Sequence, residues 1–237
     1  FYLSGLNNGV LWANAVASAS LVQDYQAGPV GTEPTDPFNK IYIIKNSDPA
    51  FGPSWQVFQH AVEQGADYYD GNNDGVYNPI DLNTNNIWDA NEDRPDFLGD
   101  LTAWCVYNDA IPASIRRWND QQPMGIEIQQ TLFAWGENVS DPIDNMIFVR
   151  YRILNKATVS NKFDSVYFSC WADPDLGVAD DDLVGCDTQL NLGYTYNDGP
   201  DNSYGTNPPV FGIPFLQGPA AFIPGETFVD NNGNELY

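Results

Sequence analysis

Positive charge is what this chain has least of. Nine lysines and arginines stand against 32 aspartates and glutamates, for a formal net charge of -23. Phosphate binding needs a basic face, so nucleic acid is not an expected partner, and an anionic membrane surface is disfavoured on the same ground. No run of about 18 apolar residues occurs, so no membrane-inserted helix is expected. Cysteine is sparse too: Cys105, Cys170 and Cys186, with no C-x-x-C pair to suggest zinc, iron–sulfur or c-type haem. Cys170 and Cys186 flank an acidic loop and read either as a disulfide or, with Cys105, as buried free thiols. The single histidine, His60, leaves nucleophilic catalysis with one base and a metallohydrolase without its imidazoles.

The residues that are present argue for a folded chain. Aromatic residues make up 14% and charged residues only 17% of 237. Disorder needs the reverse, so the acid is expected to cluster at cation sites around a real core. The clearest cluster is Asp70, Asn72, Asp74, Val76, Asn78 and Asp81. These stand at positions 1, 3, 5, 7, 9 and 12 of a calcium-loop pattern, with Gly75 at the sharp sixth position and the Val76 carbonyl as the seventh-position ligand. The pattern restarts on its own last residue, with Asp81, Asn83, Asn85, Ile87, Asp89 and Glu92. Asn86 takes the glycine position, and asparagine tolerates the left-handed conformation next best. A poorer echo runs through Asp89, Asn91 and Asp93 to Asp100, with Arg94 and Pro95 where the turn belongs. Pro79 and Pro95 argue against helices after these loops, so structural loops are expected rather than paired helix–loop–helix sensors. The alternative is a polar surface segment of turn formers.

A second acidic group, Asp173, Asp175, Asp180, Asp181, Asp182 and Asp187, needs a counter-cation if all its members stay ionised close together. A third calcium on Asp173, Asp175 and Asp181 is one reading. A solvated acidic turn, partly neutralised by Arg150 and Arg152, is the other.

Elsewhere the pattern is β. Apolar alternation marks strands from Ile126 to Trp135, Met146 to Leu154, Phe163 to Trp171 and Leu190 to Tyr196. Ile147, Val149, Tyr151 and Ile153 share one face of the second, and Arg150 and Arg152 share the other. One helix is expected from Ser54 as N-cap to about Gln64, with Trp55, Phe58, Ala61 and Val62 inward and Gly65 ending it. Pro208-Pro209 and residues 212–224 read as an extended, loop-rich tail with room for one edge strand. The expected fold is a single antiparallel β-sandwich over 1–237, jelly-roll or immunoglobulin-like, with one short helix. Residues 66–100 form an inserted calcium-loop segment in which ions replace a core. The abrupt ends at Phe1 and Tyr237 read as a piece of a longer polypeptide.

The residues Gly65 to Pro79, Trp88 to Asp96, Trp104 to Asp109, Phe148 to Arg152, Trp171 to Gly177, Asp181 to Asp187 and Gly193 to Asn197 carry a resemblance. Together they resemble the large secreted surface proteins of Bacteroidota and relatives that end in a type IX secretion sorting domain. That sorting domain is not among these 237 residues. The resemblance implies a location, extracellular or cell-surface, and no reaction. Weak oxygen-only calcium sites also suit an extracellular setting.

Three functions are therefore weighed. The leading one is a calcium-stabilised structural or adhesive module whose partners are other surface or matrix proteins, or further copies of itself. A carbohydrate-binding module would present Trp118, Trp135 or Tyr204 to sugar rings, with glycan as partner. A glycoside hydrolase would need paired carboxylates, and Glu127 with Glu137 is the best pair available.

Overall fold

The computed structural model describes residues 2–15, 24–136 and 142–218. The chain is mainly β, built of antiparallel sheets, and divides into two compact units, Phe1–Trp171 and Ala172–Tyr237.

The first unit opens with a hairpin. β1 (Tyr2–Asn7) and β2 (Val10–Ala15) are joined at Asn8 and Gly9, both with positive φ, 50° and 82°. Such two-residue turns match the right-handed twist of the strands they connect. The central sheet comprises β3 (Gln26–Ala27), β4 (Tyr42–Lys45), β7 (Leu101–Asn108), β8 (Ile126–Ala134) and β9 (Ile147–Asn155). Its order is β3-β7-β8-β9, with β4 also on β7. Between β4 and β7 lie α1 (Pro53–Val57), α2 (Gln59–Glu63) and a small ribbon of β5 (Tyr68–Tyr69) with β6 (Arg94–Pro95). β10 (Asp164–Ser169) returns to pair with β1 on the side away from β2.

Two cores follow from alternation on the central sheet. Along β7, Thr102, Trp104, Val106 and Asn108 are buried, while Ala103, Cys105 and Tyr107 face the other way. Trp104 and Val106 join Tyr42, Ile44, Trp55, Phe58 and Ala61 in the first core. Tyr107 packs against the second, with Leu3 and Trp12 of the hairpin and Ile126 and Ile128 of β8.

The expected helix is found over residues 53–63, differently capped and in two pieces. Gly52 is the N-cap and Pro53 stands in the first turn, where its fixed φ suits the helix and its missing N–H costs nothing. The helix divides at Phe58, and Gly65, at φ 103°, turns the chain away after α2. The 66–100 segment is corrected as well. It packs Ala66 and Tyr77 into the first core, with Tyr68, Trp88 and Phe97 against it. The 3.6- and 2-residue periods miss these residues because turns, not regular elements, deliver them.

The second unit holds a three-stranded antiparallel sheet of β11 (Asp182–Asp187), β12 (Leu192–Asn197) and β13 (Phe211–Pro214). The edge strand allowed for in the tail is β13, and residues 219–224 lie outside the described residues.

Candidate metal centre

The two overlapping motifs fold into the same loop twice. In the first, Asp70 accepts the N–H of Asp74 at 3.2 Å on one oxygen and that of Gly75 at 2.8 Å on the other. In the second, Asp81 accepts those of Asn85 at 3.2 Å and Asn86 at 2.7 Å. The third-position Asn72 and Asn83 accept the fifth-position N–H at 3.0 and 3.1 Å. The fifth-position Asp74 and Asn85 accept the seventh-position N–H of Val76 and Ile87 at 2.8 and 2.7 Å. Backbone conformation repeats with them: Asn73 and Thr84 at position 4 have φ 58° and 60°, and Gly75 and Asn86 at position 6 have φ 75° and 59°.

The closing carboxylate of the second loop is the expected one, and that of the first differs from the sequence assignment. Glu92, only 2% exposed, accepts the N–H of Leu82 at 2.7 Å and of Asp89 at 2.9 Å, positions 2 and 9 of the second loop. In the first loop the equivalent N–H groups belong to Gly71 and Asn78. Both go to Asp93, also 2% exposed, at 3.1 and 2.7 Å. Asp81, the expected twelfth residue of the first loop, spends both oxygens as the first residue of the second. Asp93 is thus no part of a third loop, and the Arg94 and Pro95 that follow it form β6. Burial pushes the Tyr68 phenol pKa up, and Asp70, Asp93 and Asp74 push it further, so these three carboxylates share one neighbourhood.

Aromatic packing holds the segment shut. The Arg94 guanidinium lies 4.5 Å from the Trp88 ring centre and 4.7 Å from that of Phe97. Tyr77 donates its hydroxyl to the Trp55 carbonyl at 2.9 Å, tying the first loop to α1. Gly71 is required by packing, because a Cβ there would stand 2.4 Å from the backbone N and O of Glu92.

The donor set suits a hard cation. The first loop offers Asp70, Asn72, Asp74, Asn78 and Asp93 with the Val76 carbonyl. The second offers Asp81, Asn83, Asn85, Asp89 and Glu92 with the Ile87 carbonyl. Oxygen-only sets with a sharp turn at position 6 match calcium. Among the described residues no group of three or more His, Cys, Asp or Glu side chains is arranged to hold a metal by itself. Loops of this type draw part of their oxygens from amides and carbonyls. Asn72 donates to Asp74 at 2.9 Å, and Asn83 donates to Asp89 at 2.7 Å.

The other candidates are dispersed. Asp181 and Asp182 accept from Asn197 at 3.1 and 3.2 Å, whereas Asp173 and Asp175 are exposed, so the third set is not drawn together by these contacts. The buried carboxylate of that unit is Asp201, which sequence reasoning passed over. It accepts the N–H of Val178, Ser203 and Tyr204 at 3.0, 2.7 and 2.8 Å. Arg150 pairs with Asp67 and Asp96, and Arg152 with Asp67, at 3.2–3.5 Å. Glu127 is 1% exposed, bonded to the Val30 N–H at 2.9 Å and 3.5 Å from Lys156, so it cannot reach a sugar. Glu137 lies outside the described residues. Trp118 lies tilted against Tyr2 and Trp135 packs on Phe133 and Phe148, both within the first unit, and Tyr204 belongs to the second. All three cysteines are free thiols, and burial pushes that of Cys105 up to about 11.

Compared with family models, curated proteins and solved structures, the chain finds no match. No helix among the described residues is long and apolar enough to cross a membrane.

Proposed function

We propose that this chain is a calcium-stabilised structural or adhesive module of an extracellular or cell-surface protein, and that it is not an enzyme. The observation carrying the reading is the repetition itself. Two successive segments of different sequence adopt one hydrogen-bond pattern, each closed by a buried carboxylate on its second and ninth N–H groups. A polar surface segment has no reason to repeat such detail. Each loop brings three carboxylates, and a divalent cation offsets their mutual repulsion.

On this reading the ions lock the 66–100 segment against the first core. The sandwich reading is supported by the second core, which Leu3, Trp12 and Phe168 of β1, β2 and β10 share with Ile126 and Ile128 of the central sheet. The chemical role of the ion is structural: it organises oxygens and needs no open coordination position. Secretion and the surface location rest on the resemblance to type IX cargo proteins and on the extracellular supply of calcium.

The test is metal analysis of the purified chain with thermal melts in calcium and in chelator. Two bound ions and a higher melting temperature in calcium are expected. A site filled at a hundredfold excess over Kd adds about 2.7 kcal/mol. An identical melt with no bound metal would sink the proposal.

A further inference from the structure

The two loops are closed by neighbours in the chain. Glu92 takes its N–H groups from the second loop and Asp93 takes its own from the first, so both closures hang from one stretch of backbone. That stretch is fixed along its length. The Glu92 carbonyl accepts the Trp88 indole N–H at 2.9 Å. Arg94 lies against Trp88 and Phe97 and, at 5.7 Å, against Tyr69. Arg94 and Pro95 pair with Tyr69 and Tyr68 in the β5-β6 ribbon. Gly71 adds a direct contact, because the backbone N and O of Glu92 fill the space its missing Cβ leaves. A residue of the first loop therefore packs on the residue that closes the second.

Opening one loop disturbs the other. To let go of Gly71 and Asn78, the Asp93 carboxylate must move with its backbone. A planar peptide joins Asp93 to Glu92, so the movement displaces the Glu92 carbonyl, its indole bond and the surface on which Gly71 rests. Both carboxylates are 2% exposed, and a buried charge that loses its donors is costly to leave unpaired. A half-open state therefore has little to stabilise it. Two independent surface turns would instead fray one at a time.

We propose that residues 92–95 form a latch shared by both loops, so that residues 70–93 open and close as one unit. The latch needs no ion. Its consequence, that an ion in one loop helps to close the other, rests on the calcium reading.

The test uses substitutions on the exposed side of each loop, away from the latch and the cores. Asn72→Ala removes the acceptor of the Asp74 N–H in the first loop, and Asn85→Ala that of the Ile87 N–H in the second. Amide exchange is followed by NMR on the whole chain, first in chelator. Asn72→Ala is expected to speed exchange at Leu82 and Asp89 of the second loop about tenfold. Asn85→Ala is expected to do the same at Gly71 and Asn78 of the first, with Ile128 of β8 unchanged in both. Calcium alone is then titrated in. Asn72→Ala is expected to need about tenfold more of it than the unaltered chain to slow exchange in the second loop.

Acceleration confined to the substituted loop would overturn the latch, whether or not calcium binds. Acceleration that reaches Ile128 equally would overturn it too, since the opening unit would then be the whole domain. Coupled acceleration in chelator with no response to calcium would support the latch and refute the calcium reading alone.

Discussion

Asp93 accepts the backbone N–H of Asn78 at 2.7 Å, 15 residues back along the chain, and so closes a loop from outside its motif. Its other oxygen holds Gly71. Asp93→Asn turns an amide N–H towards one of these donors. Hydrogen bonds to a buried charge are worth about 1.5–3 kcal/mol each, so a loss of about 2–4 kcal/mol and of one calcium is expected. Asp81→Asn separates the assignments. It should cost only the second loop's ion, whereas a shared Asp81 would cost both, and metal analysis of the two variants decides.

Gly71 and Gly75 rank opposite to their prominence in the motif. A Cβ on Gly75 meets nothing within 4 Å, and its φ of 75° makes alanine cost about 1–2 kcal/mol. A Cβ on Gly71 collides with the Glu92 backbone, which the buried Glu92 carboxylate keeps from moving. Gly71→Ala is expected to lose about 2–4 kcal/mol in denaturant melts, more than Gly75→Ala.

The strands and the loops were legible because each repeats. Alternation from Ile126 and from Met146 found β8 and β9 to within one residue at each end. Oxygen spacing placed Asn86, at φ 59°, in the left-handed position. Asp93 was not legible, because its partners are backbone groups of a loop that had already ended by its own numbering. β7 was hidden by Thr102 and Asn108, polar residues on a buried face. The Asn8-Gly9 turn was written plainly and passed over, since Val10 and Leu11 after it are exposed rather than buried. Alternation in β9 also could not tell that Tyr151 and Ile153 pack on the second core while Ile147 and Val149 stand in the open. Periodicity identifies a face, and only tertiary packing covers it.

Thr84 is the one residue of the two loops chemically wrong for its conformation. It is β-branched at φ 60°, where the first loop has Asn73 at 58°. A left-handed L-residue costs roughly 1–2 kcal/mol, and asparagine recovers part of that. Thr84→Asn is therefore expected to raise stability by about 0.5–1 kcal/mol in chelator. A lower melting temperature would mean that the Thr84 hydroxyl, 2.7 Å from the Asn83 carbonyl, holds the loop more than the strain opposes it.

Asp81 and Asp201 should lose their contribution to stability only in strong acid. For Asp81, burial acts to raise the pKa, but the N–H groups of Asn86, Asn85, Thr84 and Asn83 outweigh it and hold the carboxyl below 3.8. For Asp201, the Val178 N–H leads the lowering, against burial and with Tyr204, Ser203 and Asn202. Both folded values lie below the unfolded one, so these groups stabilise the native state fully above about pH 4. That contribution is lost as pH falls through the depressed values, when the unfolded chain binds protons first. Denaturant midpoints measured in chelator are expected to hold level from these groups down to about pH 4 and then drop. Asp201→Asn should flatten the drop of the second unit alone. A decline already complete by pH 5 would place the acid-sensitive groups elsewhere, since neither carboxylate takes up a proton in that range.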